Sequence, residues 1–122
     1  MNQESKELTL GRFELCLRVA DINKSLEFYK KLGFKEIDGK IEEGWLIIKN
    51  SNCILGLYQG HISKNTLNFR GGDVFAIADV LKSQGLTMEV DAHTESDGSD
   101  GAEILDPDGN LIYFNTAPGE GI

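Results

Sequence analysis

The sequence predicts an α+β chain built from two tandem β-α-β-β-β modules that pack against each other. Three observations carry that prediction. Apolar spacing switches between a period of two and a period near 3.6 along the chain. A pattern at 14–38 restarts at 66–90, and the two predicted helices open and close on the same residue types.

The first module starts with RFELCLRV (12–19), whose alternation reads as a strand. Asp21 stands where a helix N-cap belongs, Ile22, Leu26, Tyr29 and Lys30 follow at helical spacing, and Gly33 suits the C′ stop. Strand-like runs at 34–38, 45–49 and 53–58 come next, divided by Asp38-Gly39, Glu43-Gly44 and Asn50-Ser51-Asn52. The restart lies at an offset of 52: Leu15 matches Leu67, Leu17 matches Phe69, Arg18 matches Arg70, Asp21 matches Asp73 and Gly33 matches Gly85. Further on, Cys53–Tyr58 lies over Asn110–Asn115 at an offset of 57. The extra length falls mainly in AHTESDGSDG (92–101), which reads as a flexible hairpin loop. The modules are therefore 10–60 and 64–116, with 1–9 and 117–122 as flexible tails. Neither module is long enough to bury much core alone, so the two should share one.

Composition removes several function classes. With a net charge of −8 and a pI near 4.7, the chain lacks the basic surface that nucleic acid or an anionic membrane selects. No apolar run approaches the roughly 18 residues of a membrane span. MNQESKELTL has no signal-peptide core, so a cytoplasmic protein is expected. Cys16 and Cys53 show no metal-type spacing and read as buried, inert thiols inside apolar runs. No dinucleotide or phosphate loop appears, and the acids after Asp97 miss the spacing of a calcium loop. Asp106-Pro107-Asp108-Gly109 fits a type I turn that aims the strand behind it.

LRVADINKSLEFYKKLGF (17–34) and EILDPDGNLIYF (103–114) resemble the vicinal oxygen chelate superfamily, which includes glyoxalase I, extradiol dioxygenases and bleomycin resistance proteins. The resemblance implies that the strands curl into a mixed sheet or partial barrel, with the helices on its outer face and a groove inside. In the family's metalloenzymes four inward side chains bind a divalent cation. The motifs place those positions at Glu14, Gly56, Thr66 and Tyr113. Only Glu14 is a usual ligand, whereas a catalytic site needs about three drawn from His, carboxylate or Cys. His61 and His93 fall in loop or strand-end segments away from this set. The expectation is no metal and no other cofactor.

Period two then assigns the groove face. It takes Glu14, Cys16 and Arg18 from the first strand, Thr66, Asn68 and Arg70 from its repeat, Ile54, Gly56 and Tyr58, and Leu111, Tyr113 and Asn115. Phe13, Leu15, Leu17, Val19, Leu67 and Phe69 should pack under the helices. Glu14 is expected to pair with Arg18 or Arg70, or to accept from Tyr113, and Gly56 to leave room beside Tyr113. Trp45 suits a stacking wall, a core position or a subunit contact. Such a groove fits a ligand with a flat or apolar body and an anionic or hydrogen-bonding edge. By resemblance, the leading expectation is a metal-independent binding protein that sequesters a small molecule and works as a homodimer. The alternatives are a glyoxalase-I-like lyase or isomerase using Glu14 as base, and a structural module with a self-filled groove.

Overall fold

A computed structural model describes residues 8–121. In chain order the elements are β1 (Gly11–Arg18), α1 (Ile22–Lys31), β2 (Lys35–Lys40), a 3-10 turn (Ile41–Glu43), β3 (Trp45–Asn50), β4 (Cys53–Tyr58), β5 (Thr66–Gly71), α2 (Val74–Ser83), β6 (Val90–Thr94), β7 (Asp100–Leu105) and β8 (Leu111–Thr116). One mixed sheet of eight strands runs in the order β2-β3-β4-β1-β5-β8-β7-β6 and does not close into a barrel. This is the α+β architecture of two tandem modules that the repeat predicts.

Each helix begins where its side-chain cap dictates. The Asp21 carboxylate accepts from the backbone N–H of Asn23 and Lys24, and the Asp73 carboxylate from that of Ala76. These bonds satisfy first-turn donors that have no partner inside the helix. Both helices stop two residues before a glycine in the left-handed region, Gly33 at φ 94° and Gly85 at φ 90°.

β1 and β5 lie antiparallel in the middle of the sheet, with β4 parallel to β1 and β8 parallel to β5. Leu15 pairs with Leu67, which is also its repeat mate, so the internal two-fold axis passes through that pair. Leu15 also pairs with Leu55, and Leu67 with Ile112, which reproduces the offset of 57 in the outer strands.

The core forms under the helices as two clusters. Ile22, Leu46, Ile48, Leu55 and Leu57 make one, joined by Leu15, Leu17 and Val19. Val74, Ile77, Ala102, Ile104 and Phe114 make the other, joined by Phe69 and Leu10. Phe13 departs from expectation: it stays 46% exposed, its ring tilted against Phe69 at 5.3 Å between centroids.

Two segments differ from their reading as loop and tail. Half of 92–101 belongs to β6 and β7, leaving 95–99 to close the hairpin. Glu95 N–H donates to Ser99 O at 2.7 Å, and Asp97 accepts both the N–H and the hydroxyl of Ser99. Polar composition there marks the exposed edge strand β6 and the turn that follows it, not a loop throughout. At the other end, 117–121 turn back so that Glu120 meets Arg12 and Arg70; residues 1–7 and 122 lie outside the described residues. Among the described residues no helix is long and apolar enough to cross a membrane.

Candidate functional site

The floor of the groove is a small polar cluster around a buried carboxylate. Glu14 is only 6% exposed. It accepts from the Tyr58 hydroxyl at 3.2 Å and the Cys16 thiol at 3.4 Å, not from Arg18, Arg70 or Tyr113 as the groove-face assignment predicts. Gly56 explains how Tyr58 gets there. A Cβ at position 56 would lie 2.6 Å from the Tyr58 ring and 2.7 Å from Glu14 Oε2. The space left by the missing side chain is therefore filled by Tyr58 folding back over its own strand, not kept free beside Tyr113. Tyr113 instead lies against Gly101 on the neighbouring strand, where a Cβ would be 3.1 Å from its hydroxyl.

Burial and the Glu14 charge push the Cys16 thiol up to about 12 from an ordinary 9.0, and the same two causes raise the Tyr58 phenol. Both groups are held neutral as donors to Glu14. The sign for stability follows: the contribution is complete below about pH 9, where the unfolded thiol is also neutral. It is lost as pH climbs toward 12, because the unfolded chain ionises first. Cys53 departs from the expected buried, inert thiol: it opens β4 at the exposed β3–β4 turn, so in the folded protein at pH 8.5 iodoacetamide should modify Cys53 alone and reach Cys16 only on unfolding. Equal alkylation rates at the two sites would contradict this.

Beside the floor opens a cavity of about 400 Å³. Arg70, Asn68, Asn115, Tyr58 and Tyr113 supply its polar wall, and Ile62 and Leu111 an apolar one. The wall is braced from within, since Asn115 Nδ2 donates to Asn68 Oδ1 across the β5–β8 pair. Burial, with the nearby Glu103 carboxylate, raises the Tyr113 phenol, so its O–H stays available as a donor at neutral pH. The buried Nε of Arg70 has no hydrogen-bond partner among the described residues. Strand 111–116 is aimed by the predicted turn: Gly109 N–H donates to Asp106 O at 3.0 Å, and the Asp106 carboxylate accepts from Asp108 and Asn110.

Of the groove residues expected from sequence, Cys16, Tyr58, Thr66, Asn68, Arg70, Tyr113 and Asn115 line this cavity, as does Leu111. Glu14 and Ile54 face a smaller cavity of about 230 Å³ that shares Arg70. Arg18 is exposed, lies beside Val19, Ala20, Gln59 and Gly60, and borders neither space. Trp45 opens β3 opposite Tyr58 without lining either.

Sequence reasoning missed three contributors. His61 lines the cavity, its ring edge-on to Tyr58 and its Nε2 2.6 Å from Glu43 O; its position three residues past Tyr58 was the available signal. Glu103 enters from β7. Arg12 stands directly across from Arg70 in the β1–β5 register, and both reach Glu120, at 2.5 Å and 3.4 Å. Burial acts to raise the Glu120 carboxyl, but the Ala117 N–H and the two guanidiniums outweigh it and hold it below its ordinary value. His93 sits apart on β6, paired with Glu95 at 2.5 Å.

The donor set does not fit a divalent cation. Glu14, Gly56, Thr66 and Tyr113 offer one carboxylate, its oxygen already committed to Tyr58 and Cys16. Among the described residues no three His, Cys, Asp or Glu side chains converge as ligands.

No family profile and no curated protein matches this sequence. Solved structures do. A glyoxalase/bleomycin resistance protein/dioxygenase superfamily member from Vibrio splendidus aligns over 86% of this chain and 97% of its own, with a TM-score of 0.69 at 19% identity. A Legionella pneumophila protein described as an NAD-dependent benzaldehyde dehydrogenase aligns over 86% and 98%, with a TM-score of 0.72 at 17% identity. The 2,3-dioxygenase LapB from Pseudomonas sp. KL28 aligns over 85% of this chain but 41% of its own, with a TM-score of 0.57 at 13% identity. Likeness at these identities establishes a shared fold and leaves function to the site.

Proposed function

We propose that this chain, which carries the fold of the vicinal oxygen chelate superfamily, binds a small molecule in its groove without transforming it. The observation that carries the proposal is the cavity of about 400 Å³, polar on one wall and apolar on the other. That volume lies within the range of small-ligand sites. Arg70, Asn68, Asn115 and Tyr113 would take an anionic or hydrogen-bonding edge, and Ile62 and Leu111 an apolar or planar body. The Nε–H of Arg70, without a partner among the described residues, supports an acceptor on the ligand, because a buried donor left unpaired is costly.

A lyase or isomerase using Glu14 as base is the weaker reading. The Glu14 carboxylate already accepts two hydrogen bonds and does not border the larger cavity, and Arg18, the arginine that reading would use, lies outside it. Nor does the donor set favour metal chemistry. Stoichiometric Ni, Zn, Fe or Mn in the purified protein, lost together with turnover in Glu14→Gln, would overturn the binding reading.

A thermal-shift screen of planar carboxylates and their neutral amides is the direct test. The best carboxylate should lose about ten- to a hundred-fold in affinity on Arg70→Ala, the range expected for a charge-assisted hydrogen bond. Unchanged affinity would remove Arg70 from the site. The proposal includes a homodimer, which the outward apolar side chains Phe28, Leu32 and Phe75 support. A monomer in sedimentation equilibrium at micromolar concentration would refute that part.

A further inference from the structure

We infer that the C-terminal turn is a displaceable latch: Glu120 fills a carboxylate site built by Arg12 and Arg70, and a carboxylate on the groove ligand takes its place. The inference rests on the binding reading given above and adds how the site is regulated. Arg12 and Arg70 are register partners, so two guanidiniums stand side by side at one end of the groove face. Two like charges that close call for an anion between them. Here a side chain of the same chain supplies it, with Glu120 Oε2 2.5 Å from Arg12 Nη2 and 3.4 Å from Arg70 Nη2. The geometry already displays how a carboxylate sits there.

The turn that carries this carboxylate is closed on itself. Glu120 N–H donates to Ala117 O at 3.0 Å, and Ala117 N–H donates to Glu120 Oε1 at 2.8 Å. Its other ties are Arg12 to Gly121 O at 3.3 Å and a contact of Pro118 beside Gly98. The arginine side chains are 53% and 36% exposed and that of Glu120 16%, so water reaches both ion pairs from the arginine side and weakens them. Release therefore needs no rearrangement of the sheet. Arg70 lines both the larger and the smaller cavity, so the guanidinium that holds the latch is the one a ligand carboxylate would meet. Its Nε–H, unpartnered among the described residues, together with Nη2 would give that ligand a two-point contact.

The test compares benzoate with its neutral isostere benzamide on the isotope-labelled full chain and on Glu120→Gln. In the unsubstituted protein, benzoate should move the Ala117 amide resonance, which loses its Glu120 acceptor, together with those of Leu111–Asn115 along the cavity. A latch closed in nine molecules of ten weakens apparent affinity about ten-fold. Glu120→Gln should therefore bind benzoate about ten-fold more tightly, with benzamide unchanged, and Arg70→Gln should erase the preference for benzoate. The latch is refuted if Glu120→Gln binds benzoate no more tightly, or if Ala117 stays still while the cavity saturates; the binding reading then stands. If neither compound binds either protein, the carboxylate reading of the groove falls and the latch falls with it.

Discussion

Replacing Gly11 with alanine should lower stability by about 3 kcal/mol and the unfolding midpoint by about 12 °C. Gly11 opens β1 at φ 119°, opposite Gly71 across the seam that joins the two halves. A Cβ there would stand 2.3 Å from the carbonyl oxygen of Arg70 and 2.8 Å from its carbonyl carbon. Both are backbone atoms of a paired strand, so no rotamer change relieves the contact. Left-handed backbone costs a side-chain-bearing residue roughly 1–2 kcal/mol, and forcing strands apart adds roughly 1–3 kcal/mol. Fraying of the strand end is no free escape, because Leu10 packs into the second core cluster and Arg12 holds Glu120. Gly109→Ala is the control: its φ is 86°, but nothing lies within 4 Å of the added Cβ. It should cost about 1 kcal/mol, the conformational part alone. Equal midpoints for the two variants in thermal unfolding would mean that a side chain at position 11 meets no backbone across the seam.

How much of this was legible beforehand depends on whether a residue's partner is near in sequence. The caps were legible because Asp21 and Asp73 reach only two or three residues ahead. The offsets of 52 and 57 held in the register because the two modules repeat the same local pairing of first and last strand. Arg70 lines the cavity as expected, but Arg18 lies outside it for a geometric reason. Repeat mates related by a two-fold axis lie at opposite ends of an antiparallel seam, so Arg18 ends up far from Arg70, and Arg12 takes the facing position. Matching residues by offset finds equivalents; only the register finds neighbours. Gly56 was misread for a related reason. Alternation gives the face on which Tyr58 projects, but not that its ring leans back over residue 56 to reach Glu14. His61 is positioned by the connection after β4, whose path no periodicity encodes.

Gly56→Val should cost about 3 kcal/mol and also open the groove floor. The new Cβ would sit 2.6 Å from the Tyr58 ring and 2.7 Å from Glu14 Oε2. Tyr58 is the part that can yield, by swinging away from the floor. It then takes its hydroxyl from Glu14, leaving a carboxylate that is 6% exposed with the weak thiol donor of Cys16. An unsatisfied buried acceptor costs roughly 1–3 kcal/mol, more when charged, and displacing a packed ring adds a similar amount. Valine offsets part of this, roughly 0.4–1 kcal/mol, by restricting the unfolded chain. Tyr58→Phe isolates the hydroxyl: it removes the donor and keeps the ring, at about 1–2 kcal/mol. Because both substitutions break the same bond, the double variant should lose less than the sum of the single losses, by about 1 kcal/mol or more. Additive losses in urea denaturation would mean that Tyr58 holds Glu14 by packing alone. The Gly56→Val protein should also bind groove ligands more weakly, since Tyr58 lines the larger cavity. Affinity kept alongside lost stability would separate the floor from the binding site.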